Sequence, residues 1–494
     1  MALPKITRPT NDQLAIEPHP NRWKALAVLG LIQFMLVLDI TVVNVALPRI
    51  QQDLGFTSAG LAWVVNAYVL MAAGFLLLGG RVADVFGRRR VFILGVAVFA
   101  IASVVSGAAL SPAMLIVGRF AQGLGEALAA PAALGLVVML FQHPGERMKA
   151  LGIWGGLSGL GGVTGTVLSG VLTDFASWRW VFFINMPVAI VAIVLIPIIV
   201  KRDRMARGQG RLDFTGALLG TAGLVGIVYG LLQAASSPWG SWPVLLPLIA
   251  GAALVALMVI VETRSANPLI PMRFFTDRVR VVTYLAILFY AAAFLCYVFL
   301  LNLFEQRVLG FTPLQAGLSY LPLGLGIGAG LAVSTALMPK LGSKTILGCG
   351  LIGVAIGLFI TSGIHADSSY VGGILPGMIV LAVSSGAIMP ASTNAAFHRI
   401  AGADSSLASA VLNVMQQVGG ALGLAGLVAL ALRHAHELSV TGIGERAAAT
   451  SGYALAFQVG AILLAVVGVV SFVALRKSEI LAVTPSEPSP NHNT

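Results

Sequence analysis

Three ionisable residues lie inside long apolar segments of this 494-residue chain: Asp39, Arg119 and Glu126. An ionisable side chain at the centre of a bilayer costs at least about 2.5–3.5 kcal/mol on insertion scales, so it needs a partner or a function. Desolvation favours the neutral form of a carboxyl group, whereas a nearby guanidinium favours the charged form. A carboxyl group held between these influences can bind and release a proton as access of water changes. The chemistry that these residues suggest is proton exchange within a membrane.

The spacing of the three residues places them near one another. With a rise of about 1.5 Å per residue, Asp39 lies about 12 Å, and Arg119 about 9 Å, below the same membrane face. Glu126 follows Arg119 by seven residues, close to two helical turns, so Arg119, Gln122 and Glu126 share a helix face that should line a cavity. We therefore predict an Asp39–Arg119 contact. It is either a static pair that fixes packing or a proton-exchange site. Glu126 is the better candidate for proton binding, and it could also neutralise a cationic substrate.

The composition is that of a polytopic membrane protein. The chain is 57% hydrophobic and 10% charged, with a mean hydropathy of +0.92. A soluble domain carries about 25% charged residues, so this chain could not cover a water-facing surface of its size. The net charge of +11 is better explained by basic loops on one side of a membrane than by a nucleic-acid partner.

The apolar segments predict an all-α protein with fourteen transmembrane helices. Lys and Arg are divided unevenly between the two sides: 24 lie on the side of the termini, five lie on the other side, and Arg119 lies within a span. This bias predicts that both termini are cytoplasmic. The predicted spans are 24–47, 60–80, 91–109, 113–140, 149–172, 180–200, 213–234, 243–261, 281–302, 313–338, 344–363, 370–396, 407–431 and 453–475.

Weak sequence echoes divide the chain into two halves. GEALAAPAA at 125–133 in span 4 corresponds to GAIMPASTN at 386–394 in span 12. Duplicated six-span halves are a transporter architecture. The predicted organisation is a cytoplasmic tail (1–23), a six-helix bundle (24–200), a linker with extra spans 7 and 8 and an amphipathic cytoplasmic segment at 262–280 (201–280), a second six-helix bundle (281–475) and a disordered cytoplasmic tail (476–494).

Four segments resemble motifs of the major facilitator superfamily, and within it of the fourteen-span drug:proton antiporters. LDITVVNVALP at 38–48 is similar to the span 1 signature of that group, and GRVADVFGRRR at 80–90 is similar to the loop motif between spans 2 and 3. GRFAQGLGEALAAP at 118–131 resembles the span 4 motif, and WRWVFFINMP at 178–187 closes the block as in the family. The resemblance covers nearly the whole chain and implies the major facilitator fold.

The resemblance also implies roles for two groups of residues. In the loop motif, the cytoplasmic gate would consist of Gly80, Asp84, Gly87 and Arg88. The span 5 antiporter motif is altered, because Thr166 stands at the usual proline and Ser169 at a usual glycine. Its helix-packing residues would be Gly161, Gly165, Thr166 and Gly170.

The second half offers polar and aromatic residues in place of buried charges. Its amides either line a substrate path or bond neighbouring helices, and the aromatic residues of span 9 either form a binding wall or, as we favour, pack in the core. Glu305 and Arg307, at the end of span 9, are expected to form a solvated rim. Together with Gln122 of the first half, the candidate substrate-binding residues are Tyr290, Phe294, Tyr297, Asn394, Asn413, Gln416 and Gln417.

We expect a monomeric, proton-coupled antiporter that exports amphipathic, drug-like or antibiotic compounds, cationic ones among them, across the bacterial cytoplasmic membrane by alternating access. The alternative is a dedicated exporter of one endogenous metabolite or lipid, and a channel or membrane enzyme is less favoured. No catalytic residue, metal or cofactor is predicted: the histidines lie in loops, tails or span ends, and the chain carries no nucleotide-binding motif.

Overall fold

The computed structural model describes residues 20–200, 213–265, 268, 272–398, 400 and 405–474. Most of the predicted N-terminal tail, the basic linker at 201–212 and the predicted C-terminal tail lie outside these ranges. Within them, every regular element is helical. The α-helices are α1 (Arg22–Leu54), α2 (Ser58–Phe86), α3 (Arg88–Gly107), α4 (Pro112–Leu140), α5 (Pro144–Phe175), α6 (Trp180–Phe183), α7 (Asn185–Ile199), α8 (Phe214–Gln233), α9 (Trp242–Arg264), α10 (Arg278–Arg307), α11 (Pro313–Ser319), α12 (Leu321–Thr361), α13 (Leu375–Ala396), α14 (Ser405–Val440) and α15 (Glu445–Ala474).

The described part of the chain contains thirteen helical segments that are long and apolar enough to cross a membrane. One of them, Pro313–Thr361, has 49 residues and includes a break at Gly342, where φ is 73° and ψ is 159°. A continuous helix of that length would be about 70 Å long, far more than the hydrocarbon core of about 30 Å. The break therefore divides this segment into two crossings, which gives the fourteen predicted spans. Gly342 adopts a positive φ that other residues rarely accept.

Small residues allow the helices of the first half to pack closely. α1 packs on α5 and α7, and α4 packs on α2 and α3. A Cβ atom at Gly125 of α4 would lie 2.7 Å from the backbone nitrogen of Phe99 in α3, which is too close for any side chain. Glycine is thus required where these two helices cross, as in other membrane helix pairs.

The extra helices α8 and α9 form a pair that contacts both halves. They pack against each other where Gly223 faces Gly251. α8 also packs on α2 and on α14, and α2 contacts α14 directly through Ala73 and Val418. The second half itself is built from α10 packed on α14 and α15, and from α12 packed on α13 and α15.

Besides the contact of α2 with α14, the two halves contact each other where α5 meets α11 and where α1 meets α10. We call the end at which α1 begins and α15 ends the terminal end, and the opposite end the far end. At the far end, a Cβ atom at Gly170 of α5 would lie 2.6 Å from the carbonyl oxygen of Pro313 in α11, and Gln306 of α10 donates to the carbonyl of Val45 in α1 at 2.8 Å. The far end is therefore closed between these helices.

Toward the terminal end, the same face of α5 has no neighbour. Cβ atoms built at Gly152, Gly155 and Gly159 would meet nothing within 4 Å. At 3.6 residues per turn, these glycines lie on the face that continues to Thr166 and Gly170, which contact α11. α5 and the second half therefore diverge, leaving a gap that opens toward the terminal end.

The described part of residues 262–280 differs from the predicted amphipathic segment. α9 continues through Arg264, and a short 3-10 helix at Met272–Phe275 leads into α10. Phe274 is buried, and the Arg280 side chain lies over its ring at 5.7 Å and donates to its carbonyl at 3.1 Å. The end of this segment therefore packs against the start of α10, and its predicted position on the inner membrane face stays a prediction.

Candidate proton and substrate site

Asp39 lies at the centre of a buried polar cluster formed by α1, α4 and α7. Its Oδ2 accepts a hydrogen bond from Arg119 at 2.5 Å, and its Oδ1 accepts from Gln122 at 3.1 Å and from Asn185 at 2.7 Å. Its side chain is 0% exposed, and that of Arg119 is 1% exposed. The contact predicted from the matched depths is therefore present, and both carboxylate oxygens are satisfied.

Arg119 has further partners that hold it in this cluster. Its Nε donates to the carbonyl of Val64 in α2 at 2.9 Å. Its guanidinium lies 4.3 Å from the centre of the Tyr68 ring, a cation–π distance. Arg119 is therefore held by α2 as well as by its pair with Asp39.

Gln122 belongs to the cluster and not to an open cavity. Its amide oxygen accepts from Arg119 and from Ser106, and its amide nitrogen donates to Asp39 and to Ser103 at 2.8 Å. It is fully buried. The hydrogen bonds of its side chain are used within the first half, and a contact of Gln122 with substrate stays a prediction.

Glu126 lies one turn beyond Gln122 and is bonded differently from Asp39. Its side chain is buried, and its Oε2 has no hydrogen-bond partner among the described residues. The Tyr68 hydroxyl faces the same carboxyl group, while the Tyr68 ring lies beneath Arg119. Tyr68 thus connects Glu126 to the ion pair. The first half holds one carboxyl group with a full set of donors and one without.

Sequence reasoning missed three members of this site: Tyr68, Ser103 and Asn185. Asn185 lies in the WRWVFFINMP segment, and an amide inside an apolar span was a signal that could have identified it. Tyr68 and Ser103 carried no such signal, because tyrosine and serine are tolerated throughout membrane helices.

The predicted gate residues lie at the terminal end, where α2 meets α3. Arg88 donates to Oδ1 of Asp84 at 2.9 Å and to the carbonyl of Gly135 in α4 at 3.0 Å. Gly87 has a φ of 95°, which permits the turn between the helices. Gly80 makes only an ordinary contact, 3.7 Å from Pro131 for a built Cβ. Close approach of α2 to α4 depends instead on Gly79, whose Cβ would collide with the backbone of Ala127.

The small residues of the altered span 5 motif lie on α5 and contact two other helices, α1 and α11. Gly161 and Gly165 pack on α1, where a Cβ at Gly161 would lie 2.8 Å from the carbonyl of Phe34. Ser169 donates to the carbonyl of Val42, which ties α5 to α1. A Cβ at Gly317 of α11 would lie 2.5 Å from the Thr166 carbonyl, so Thr166 and Gly170 contact the second half.

The sequence model of the Major Facilitator Superfamily matches residues 29–424. This chain belongs to the major facilitator superfamily. The match covers the polar cluster, the loop between α2 and α3, α5 and most of the second half.

Three relatives within the superfamily carry names that refer to antibiotics. The chain is 39% identical over 469 residues to the puromycin resistance protein of Streptomyces alboniger, covering 91% of each chain. It is 38% identical to the cephamycin export protein of Amycolatopsis lactamdurans, covering 85% of each. It is 35% identical to the lincomycin resistance protein of Streptomyces lincolnensis, covering 83% of this chain and 84% of the relative.

The solved structures agree on the fold. A bacterial homologue of the human lysosomal transporter Spinster, in an inward-facing and unoccupied conformation, superposes with a TM-score of 0.67. It is 18% identical in sequence and covers 92% of this chain and 97% of its own. At this level of identity the likeness concerns the major facilitator fold.

The second half of this major facilitator protein places its predicted substrate residues in different environments. Tyr297 is 0% exposed and its ring packs 5.4 Å from that of Phe457, so it belongs to the core. Tyr290 is 5% exposed and its ring lies 5.6 Å from that of Phe294, which is half-buried. For Tyr297 the structure favours core packing over a binding wall.

The amides of the second half are more accessible than its aromatic residues. Asn394 and Asn413 are exposed, and Gln416 and Gln417 are half-buried. Among the described residues, none of them hydrogen bonds to the Asp39 cluster. They are available to a ligand, but the structure does not bring them together with the buried charges.

Glu305 departs most from expectation. The prediction of a solvated rim is wrong for this residue, which is 0% exposed, while Arg307 is half-buried. The position of Glu305 near the end of α10 suggested contact with water, but α11 and the residues after it cover the Glu305 carboxyl group. The second half therefore does contain a buried charge-bearing group.

Proposed function

We propose that this protein exports amphipathic, drug-like or antibiotic compounds across the bacterial cytoplasmic membrane in exchange for protons. The substrate class is supported by the relatives named for puromycin, cephamycin and lincomycin. The observation that carries proton coupling is Glu126, a buried carboxyl group whose Oε2 lacks a hydrogen-bond partner among the described residues. Such a group can hold a proton without breaking an existing contact.

The two carboxyl groups of the first half have different roles in this proposal. The Asp39 carboxyl group is held in place by three donors, one of which is the Arg119 guanidinium. Glu126 exchanges the proton and, when ionised, can attract a cationic substrate into the gap beside α5. Tyr68 links the two, so that a change of charge at Glu126 is felt by Arg119.

The direction of access follows from the orientation of the chain. The excess of Lys and Arg on the terminal side supports placing that side in the cytoplasm. The gap beside α5 would then receive substrate from the cytoplasm. Closing it would require the bundles 24–200 and 281–475 to rock against each other, with Asp84 and Arg88 contacting the second half in the closed state.

A second candidate function is the dedicated export of one compound. The resistance and export relatives are each named for a single antibiotic, which favours retaining this possibility. The mechanism would be the same, with Glu126 coupling transport to protons. The breadth of resistance distinguishes the two functions.

The test compares wild type with Glu126→Gln in everted membrane vesicles that carry an imposed proton gradient. Wild-type vesicles should accumulate substrate, and Glu126→Gln vesicles should lose at least about tenfold in rate, since transport without the exchanging group is uncoupled. Glu437→Gln is the control, because Glu437 is an exposed member of a surface pair with Arg433. Proton-driven accumulation that is equal in Glu126→Gln and wild type would exclude Glu126 as the coupling residue.

The substrate range is measured in cells that express the same three proteins at equal levels. Resistance to several unrelated compounds that is lost in Glu126→Gln supports multidrug export. Resistance to one compound, lost in the same variant, supports the dedicated exporter.

A further inference from the structure

Glu305 is buried at the far end of the bundle without a hydrogen-bond partner. It lies in the last turn of α10, its side chain is 0% exposed, and neither Oε1 nor Oε2 has a hydrogen-bond partner among the described residues. It therefore forms no ion pair with a described Lys, Arg or His. An ionised carboxylate in such a place would be very costly, because nothing replaces the water it has lost.

The hydroxyl groups around Glu305 are arranged as acceptors. Ser319 and Tyr370 donate their hydrogens to the carbonyls of Ala316 and Ser319, both at 2.7 Å, and Tyr320 donates to the carbonyl of Val298 at 2.8 Å. Because these hydrogens bond to backbone carbonyls, none of the three hydroxyls donates to either carboxyl oxygen of Glu305. This lack of donors favours the neutral carboxylic acid over the carboxylate.

Two other side chains on α10 face this region. The Tyr297 hydroxyl and Nδ2 of Asn302 are buried without partners among the described residues. Tyr297, Tyr320 and Tyr370 are the titratable groups that interact electrostatically with Glu305, and all three are neutral in their ordinary state. Arg307, two residues further along α10, does not hydrogen bond to Glu305. Among the described residues of α10, of α11 and the turn after it, and of the π-helix Tyr370–Ile374, none provides a hydrogen-bonded positive charge to a Glu305 carboxylate.

The walls of this pocket are the elements that close the far end. Gln306, the next residue after Glu305, donates to the carbonyl of Val45 in α1. α11, which carries Ser319, packs on α5 through Gly317 and Pro313. When the two halves separate at the far end, α10 and α11 lose these contacts, and the carboxyl group of Glu305 comes closer to water.

We infer that Glu305 is a second proton-binding site, which holds its proton while the far end is closed and exchanges it with water on the far side when that end opens. On release, the O–H bond of the carboxylic acid breaks and a water molecule takes the proton to form hydronium, leaving the carboxylate hydrated. The site is separate from the Glu126 site, which lies in the first half beside the Asp39–Arg119 pair. Its coupling to transport rests on the proposed export function, but its protonation does not.

The first arm of the test measures protonation directly. Infrared difference spectra of the purified full-length protein in lipid are recorded over a pH titration for wild type, Glu305→Gln, Glu126→Gln and Glu437→Gln. Glu305→Gln should remove one protonated carboxylic acid signal that remains in Glu126→Gln. If Glu305→Gln removes no such signal, Glu305 is not a proton site and the inference is overturned. Glu305→Asp keeps a carboxyl group and should restore a signal if the glutamine variant merely folds differently.

The second arm measures coupling in vesicles that export a transported compound. A one-proton step changes a rate by up to about tenfold per pH unit. The wild-type rate should therefore vary with far-side pH, and Glu305→Gln should reduce that dependence by at least about threefold while still moving substrate. Unchanged dependence on far-side pH would make Glu305 a structural acid and would overturn its role in exchange. If wild type moves no compound, the proposed export function fails, and the infrared arm alone decides whether Glu305 binds a proton.

Discussion

At the residue scale, the two carboxyl groups of the first half differ in their partners and therefore in their chemistry. Asp39 has a donor for each oxygen and a guanidinium within 2.5 Å, so its charge is stabilised by the fold. Glu126 has one oxygen without a hydrogen-bond partner among the described residues, and Tyr68, Asp39 and Arg119 all lie near enough to interact with it electrostatically. The same fold thus gives one acid a donor for each oxygen and leaves the other with an oxygen that has no partner among the described residues.

This contrast predicts different effects on stability. Asp39→Asn leaves the Arg119 charge buried without its counter-charge, and removing one partner of a buried pair costs about 3–5 kcal/mol. Glu126→Gln breaks no ion pair and should be close to neutral. The measurement is thermal unfolding of the purified protein, with Asp53→Asn as a control, because Asp53 lies on the same helix in an exposed pair with Arg179. A variant at Glu126 that is less stable than one at Asp39 would contradict this account.

At the element scale, hydropathy predicts which segments cross the membrane but not where the helices end. α1 continues to Leu54 and α10 to Arg307, each beyond its predicted span, because helices extend into the polar interface where the apolar signal stops. The Asp39–Arg119 contact could be predicted because depth along a helix follows from residue number. The sequence does not show which residues of neighbouring helices face one another, and for this reason Tyr68 and Ser103 were missed. Glu305 was misjudged because distance from a span end was taken as exposure.

The uncovered face of α5 leads to a prediction about the transport cycle. Gly152, Gly155 and Gly159 continue the face that packs on α11 at the far end, so they should pack on the second half when the terminal end closes. Gly159→Trp should fold, since its built Cβ meets nothing within 4 Å, but it should block closure and reduce export by at least about tenfold.

The control for this prediction is Ile153→Trp. Ile153 lies on the same helix, is already exposed, and points about a third of a turn away from Gly159. Ile153→Trp should retain export within about twofold, since Ile153 lies away from the face of α5 that is expected to pack on the second half. Labelling of a cysteine placed at the terminal end should be permanently high in Gly159→Trp and should vary with substrate in the control. Normal export by Gly159→Trp would show that this face remains open throughout the cycle.

At the scale of the whole molecule, the halves are joined at the far end and diverge beside α5, while α8 contacts both α2 and α14. The closed end depends on a few specific contacts, such as Gln306 to Val45 and Gly170 to Pro313. Such a molecule can change access by exchanging one set of contacts for another, without rebuilding either half. The sequence halves could be predicted from the spacing of the spans. The end at which the halves contact each other could not be predicted, because a conformation closed at the far end and one closed at the terminal end would have the same hydropathy pattern.

The Asp84–Arg88 pair tests whether the terminal end makes contacts that are absent here. The pair is i,i+4 and its side chains are 56% and 34% exposed, so its contribution to stability should be at most about 1 kcal/mol. Asp84→Asn should therefore leave thermal unfolding and substrate affinity unchanged. If Asp84 contacts the second half only when the terminal end closes, the same variant should lower the turnover rate by at least about fivefold. Arg90→Gln, an exposed change two residues after Arg88, should leave the rate unaltered. Substrate binding and turnover are measured on the same vesicle preparation. Wild-type turnover in Asp84→Asn would mean that this carboxylate stabilises only the turn between α2 and α3. A lower rate at unchanged affinity would mean that Asp84 contacts the second half when the terminal end is closed.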